Sequence, residues 1–468
     1  MGRFFRILGM SIAIVAILAG ALGALYFVGK SKFNPAPPDT SYPPPADARE
    51  AQRQDIDYFG KLVAIDRAYS PEARAQAERR LEALADGPVL DRGHLRVALM
   101  RITALADNGH TSLHSKKPTR PAILPIRLAA FSDGIFVMRT APGNADLLGA
   151  QVVAIDGHPL EEVIRKLEEL RGGTEPWRRD YAQWVLNSSE ILYGLGIAPA
   201  PDRSTWTFRT RTGGTATRTL AGAQPGYDDP APDIWRWSSP EPVKDDKQRW
   251  AAFTPPDWKA PLTLEEPDKL FRAAHVPGSC AMLVQLRANA GDGIGAFLKA
   301  TEAEIAASKP CAVILDNRVN GGGDYTNTSG FASRLPSLAR HIYVLTGPET
   351  FSAGITTTVF VKQASAPGQT VLLGEGVGDR LTFWAEGGEG CLPHAPFCFR
   401  YATGMHDYAH ACRDWNKCFW LNWLYPARTD DLKPAETIHM AFADYLAGRD
   451  PAFDRALALT AKIGGAVH

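Results

Sequence analysis

The sequence predicts an α/β fold in three parts: a helical N-terminal subdomain, an inserted β domain and a layered core. Ala281–Leu286, Ile294–Ala307 and Ala312–Leu315 read as strand, helix and strand in succession, the βαβ order of a layered core. Ala312–Leu315 and Ile342–Thr346 are continuous apolar runs too short for amphipathic helices, so both read as strands buried on two faces. Residues 47–106 instead repeat apolar positions at helical spacing, whereas residues 121–222 hold short alternating runs.

At 468 residues the chain has room for two or three domains. Its 51 Lys and Arg balance 51 Asp and Glu, the pI lies near 7.2 and no basic stripe occurs, which argues against nucleic acid as a partner. Arg3 and Arg6 precede an uncharged apolar run from Ile7 to Gly29. About 23 residues at 1.5 Å each span roughly 34 Å, enough for a bilayer's hydrocarbon core. Signal-peptide apolar regions are shorter, so residues 1–32 read as a cytoplasmic tip and an uncleaved transmembrane anchor; a signal peptide cut near Ala19-Gly20-Ala21 is the rival. Arg3 and Arg6 place the bulk of the chain on the periplasmic side of a cell inner membrane, although Lys30 and Lys32 reduce the asymmetry. Six prolines from Pro35 to Pro45 make residues 33–46 an extended polyproline linker that holds the folded part off the membrane.

Within residues 47–120, Leu81, Leu84 and Ala85 share a helical face before Gly87-Pro88, and Leu95, Leu99, Ile102 and Leu105 share the next. A turn signal follows, Asp107-Asn108-Gly109, carrying His110 and Thr111. The insertion, residues 121–225, holds Ile135–Val137, the run Gly149–Leu160 around Asp156-Gly157, a helix from Glu161 to Leu170, and Thr205–Leu220. Residues 226–468 form the core domain, opening with an irregular Pro- and Trp-rich connection from Tyr227 to Asp268.

The chemistry concentrates between Cys311 and Gly354. After Asp316 the loop Asn317-Arg318-Val319-Asn320-Gly321-Gly322-Gly323-Asp324 offers three glycines that allow close backbone approach and outward-pointing amides. A helix over Thr328–Arg340 and the strand Ile342–Thr346 lead to Gly347-Pro348, which turns the chain into Thr350-Phe351-Ser352-Ala353-Gly354. A serine on a strand-to-helix turn exposes its hydroxyl, and the amides of the helix start can stabilise developing negative charge. Ser352 also fits a plain N-cap.

Asp316-x-Arg318-x-Asn320-x-Gly322-Gly323 followed by Thr350-x-Ser352-Ala353 resembles the core of the S41 family, the tail-specific or C-terminal-processing serine proteases. Asp107-x-x-His110-Thr111 resembles the element ahead of that family's inserted domain, and Gly149–Leu160 is similar to a strand and turn of PDZ domains. Pro426, Asp431–Pro434 and Asp444–Pro451 resemble the family's closing segment. The resemblance implies a ClpP/crotonase-like protease core, a PDZ-like domain that presents polypeptide substrate, and no cofactor or metal. It also implies Ser352 as nucleophile and an oxyanion hole made by the amides near Gly322, Gly323 and Ala353.

The family uses either a lysine some two dozen residues past the serine or, in tricorn-like members, an N-terminal histidine. Lys362 lies only ten residues on, roughly 15 Å along a helix, and the expected stretch reads Gly374–Arg380 without a lysine. Arginine stays protonated near neutral pH and cannot replace it. His110 is therefore the expected general base. The tricorn-like orienting carboxylate has no equivalent in Trp420–Pro426, so Glu375 is the substitute, with Asp107 and Asp414 as alternatives.

Cys280 and Cys311 open two core strands, while Cys391, Cys398, Cys412 and Cys418 crowd a late insertion, residues 387–420. In an exported chain the cluster predicts two disulfides, Cys391–Cys398 and Cys412–Cys418 among three pairings. Zinc is the competitor, because His394, His406 and His410 lie among these cysteines, but the spacings lack a Cys-x-x-Cys pair. The expectation is a membrane-anchored, extracytoplasmic S41-like serine endopeptidase. Its alternative is a catalytically inactive scaffold of the same fold that binds envelope proteins or peptides.

Overall fold

The computed structural model describes residues 20, 23, 26–116, 119, 123–222, 238, 239, 250–255 and 257–464. Most of the apolar run from Ile7 to Gly29 lies outside them, as does much of the expected connection after Tyr227. No helix among the described residues is long and apolar enough to cross a membrane.

The helical subdomain comprises Ala48–Ile65, Pro71–Asp86 and Arg92–Thr103. Each helix begins where a polar side chain takes up an orphan amide: Asp47 accepts from Glu50, Ser70 from Ala73 and Asp91 from His94. Their apolar faces bury Phe59, Leu62, Leu95 and Leu99 together with Phe397 and Phe399 of the cysteine-rich segment. The proline-rich stretch before them, without helix or strand from Pro35 to Pro45, does not stand free. Thr403 donates to the Phe33 carbonyl, Tyr401 to that of Pro35, Tyr58 to that of Pro38 and Gln54 to that of Pro43. A polyproline backbone keeps its carbonyls unpaired, and here they are acceptors for the folded body. The stretch is a strap, not a spacer.

Six strands form the core sheet in the order Glu436–Thr437, Thr370–Gly374, Ile342–Thr346, Ala312–Asp316, Ala281–Leu286, Phe271–His275. All neighbours are parallel except the last pair. Helices Ile294–Ser308, Thr326–Leu338 and Ala353–Ala364 cover one face, and Pro451–Gly464 covers the other. Burial on both sides explains why these strands read as unbroken apolar runs. Cys280–Cys311 joins the starts of two adjacent parallel strands, a third disulfide beside the two expected, Cys391–Cys398 and Cys412–Cys418.

The insertion is an antiparallel sheet whose main path runs Ile126–Phe131, Gly134–Thr140, Gln151–Ile155, Arg203–Arg209, Thr215–Ala221. Asp156 and Gly157, both at positive φ, turn the chain before the helix Leu160–Glu168. Two further helices, Glu175–Val185 and Ser189–Gly194, occupy the stretch between helix and fourth strand. Ala251–Ala252 pairs with Gly134–Thr140, so the chain returns to this sheet beyond the expected boundary at residue 225. In the cysteine-rich segment Gly388–Cys391 pairs with Phe397–Tyr401, which in turn pairs with Ser112–Ser115 just past His110. The segment is therefore part of the scaffold of the histidine loop.

Arg318 ties the core together. Its guanidinium donates to both oxygens of Asp316 at 2.8–2.9 Å and to both oxygens of Asp450 at 2.7–2.9 Å, linking a strand end to the start of the last helix. Thr263 and Gln285 add donors to the two carboxylates. Arg318→Met would leave two buried carboxylates without their counter-ion, and a loss of about 3–5 kcal/mol is expected in urea unfolding. A loss under 1 kcal/mol would contradict the assignment.

Candidate active site

Ser352 occupies the turn between the strand Ile342–Thr346 and the helix Ala353–Ala364 with φ 53° and ψ −123°. A non-glycine residue there carries strain of about 1–3 kcal/mol, which persists only if its surroundings enforce it. Its hydroxyl does not cap the helix, although the residue stands at the N-cap position. What enforces the turn is the glycine loop beside it. Phe351 donates to the Asn320 carbonyl (3.0 Å), Thr350 Oγ1 to the Asn317 carbonyl (2.7 Å), and Asn317 Nδ2 to Gly354 O and Thr358 Oγ1 (2.8 and 2.9 Å). Asn320 Nδ2 in turn donates to Asn317 Oδ1. The two loops leave each other no slack. A Cβ on Gly322 would lie 2.7 Å from Ser352 Cβ and 3.0 Å from the Ala353 nitrogen.

The glycines therefore play unequal parts. Gly322 N–H already donates to Asn320 Oδ1 at 3.1 Å, so this amide is engaged within the loop and the residue's contribution is space beside Ser352. Gly323, at φ 127°, follows it, and Ala353 opens the helix directly after the serine.

His110 follows a turn in which Asp107 takes φ 45°. Thr111 fixes that turn from beneath by donating to buried Asp66, and Asn108 donates to Thr111. The imidazole lies in a column of rings, Trp177, Phe351, His110, Phe383 and His406, whose successive centroids are 4.1, 4.4, 5.2 and 5.2 Å apart. Phe351, the residue before Ser352, thus carries the ring on which His110 stacks. Neither imidazole nitrogen has a hydrogen-bond partner. Burial, reinforced by the charges of His406, Arg400 and Arg171, holds the His110 pKa well below the usual histidine range. The same burial keeps the ring in its neutral form.

One carboxylate faces it. Asp379 Oδ2 lies 3.8 Å from His110 Nδ1, is buried, and has no hydrogen-bond partner of its own. Desolvation pushes this carboxyl up to about 7. Asp379 is held there by Gly378, whose amide donates to the Thr350 carbonyl and whose missing side chain makes room for the Pro348 carbonyl.

The other expected residues lie elsewhere. Glu375 is partly exposed and pairs with His439 at 3.2 Å, not with His110. Asp107 pairs with Arg380, and Asp414 accepts from the backbone of Asn416 and Lys417. Lys362 is committed to Asp431. His394 meets Gln54, His406 meets Asn422 and Glu386, and His410 meets Asp407; the neighbouring cysteines are in disulfides. These three histidines do not converge.

No family model and no curated protein matches the chain. Among solved structures, mature CPAF complexed with lactacystin aligns over 89% of this chain and 99% of its own, with a TM-score of 0.55 and 12% identity. A CPAF mutant gives 88%, 96%, 0.55 and 12% in the same terms. Tricorn protease aligns over 89% of this chain and 37% of its own at a TM-score of 0.37 and 14% identity. The likeness to CPAF is one of fold across nearly the whole chain.

The Asp379 carboxyl sits at about 7 against an ordinary 3.8, so the folded chain holds this proton more tightly than the unfolded one. Stability therefore falls as pH rises from about 4 to about 7. Asp379→Asn, uncharged throughout, is expected to melt above wild type at pH 8 and level with it at pH 4. Melting curves at the two pH values check this, and a pH-independent difference would contradict it.

Proposed function

We propose that this chain, built on the S41 serine-protease fold, is a serine endopeptidase acting through an acyl-enzyme. The observation that carries the proposal is Ser352 itself: a strained serine on a strand-to-helix turn, its hydroxyl not spent on capping, pressed against a glycine with no room for a side chain. Ser352 Oγ attacks the scissile carbonyl. His110, neutral because it is desolvated, takes the hydroxyl proton and returns it to the leaving amine. Asp379, once ionised, orients the ring and stabilises the imidazolium, taking the part first expected of Glu375. The amides of Gly323 and Ala353 receive the oxyanion.

The chain is anchored in a membrane by residues 7–29 with its bulk on the extracytoplasmic side. Two features support this. Three disulfides suit an oxidising compartment. Exposed Tyr26, Phe27, Trp415, Trp423 and Leu424 gather beside the chain's entry into the body, where Trp420 packs on Tyr26 and Gly29. Aromatic side chains of this kind are enriched at membrane–water interfaces.

Labelling of the full chain with a fluorophosphonate tests the chemistry. Wild type should label, Ser352→Ala and His110→Ala should not, and Asp379→Asn should label at least about 100-fold more slowly while remaining folded. A folded wild type that does not label would favour the alternative of a catalytically inactive peptide-binding scaffold.

A further inference from the structure

A cavity of about 520 Å³ opens between the insertion and the core. One wall is the carboxyl edge of the core sheet: Val319 from the glycine loop, Gly347, Pro348 and Glu349 from the approach to Ser352, and Glu375 after the next strand. Crevices outside the carboxyl ends of parallel strands are where ligands bind in open α/β sheets. The facing wall is the helix Glu175–Val185 and the edge strand Ile126–Phe131 of the inserted sheet.

The lining joins two chemistries. Phe131, Val319, Pro348, Ile438 and Met440 are apolar. Against them stand two acceptors without donors: Asp180 Oδ2 and, one helical turn on, Gln183 Oε1, both buried and neither hydrogen bonded. Asp180 as a whole is only 8% exposed. Burial, with the Glu375 charge added, pushes its carboxyl up to about 7, the state of an acid lacking a counter-ion. The cavity's own cations do not supply one. Arg179 is committed to Glu161 and Glu168, Arg318 to Asp316 and Asp450, and His439 to Glu375.

We propose that this cavity is a specificity subsite for a lysine or arginine side chain of the bound polypeptide. The aliphatic stem lies along the apolar wall, and the cationic head donates to Asp180 and Gln183. Lysine and arginine are the side chains that combine a long apolar stem with a donor-only charged tip. The choice of a polypeptide as ligand rests on the peptidase reading. The acceptors themselves do not.

The test reads binding without turnover. A randomised nine-residue peptide library is passed over immobilised full-chain protein carrying Ser352→Ala, and retained peptides are sequenced. Lysine and arginine should be enriched about fivefold or more over the input, an effect close to 1 kcal/mol. Adding Asp180→Asn, which keeps the shape and removes the charge, should return the enrichment to background; Gln183→Leu should weaken it. No retention, retention without this enrichment, or enrichment that survives Asp180→Asn in a folded protein overturns the subsite. A chain that retains basic peptides yet resists fluorophosphonate refutes only the peptidase reading. One that labels and cleaves without a basic preference refutes only the subsite.

Discussion

The structure depends on the clasp between two loops at neighbouring strand ends. Asn317 and Asn320 reach from one loop into the other and bond the backbone or side chains on both sides of Ser352. Gly354 shows how close the approach is: a Cβ there would lie 2.3 Å from the Asn320 carbonyl. Each net hydrogen bond contributes about 1 kcal/mol, so the set offsets the strain of the serine's backbone. Neither loop could hold its conformation alone. The motif residues are thus largely structural, and their chemistry is to hold one serine in a conformation it would otherwise leave.

How much was legible in the sequence follows from the range of the interactions involved. Core strands announce themselves because burial on both faces demands continuous apolar runs, and the N-terminal helices because spacing and caps are local. The strand-to-helix turn at Ser352, the glycine loop and the disulfide pairs of the cysteine-rich segment were legible for the same reason. Asp379 was not. Its partner is more than two hundred residues away, and nothing near it in the sequence distinguishes it from Glu375. The strap was hidden too, because proline content predicts an extended backbone but not the tyrosines and threonine that fasten it. The role of Gly322 was visible as a need for glycine, whereas the engagement of its amide by Asn320 depended on the loop's actual path.

The ring column joins parts of the chain that differ in origin. Trp177 belongs to the inserted domain, Phe351 to the serine turn, His110 to the N-terminal subdomain, Phe383 to the strand Thr382–Ala385 and His406 to the late segment. Further bonds run alongside: Arg171 donates to the Gly109 carbonyl and Thr174 to that of Gly378. The insertion is therefore packed onto both loops that flank the imidazole. Movement of the helix Glu175–Val185 would be felt at His110, at the Ser352 turn and at the wall of the adjoining cavity together.

The proline strap has a mechanical meaning. Its carbonyls are gripped by Tyr401 and Thr403, and Tyr401 closes a strand that pairs directly with Ser112–Ser115, the strand continuing from His110 and Thr111. Tension applied to the chain before Phe33 would not be absorbed by a slack tether. It would load the sheet that carries the imidazole, making the N-terminal stretch a short, stiff lever with its fulcrum two strands from His110.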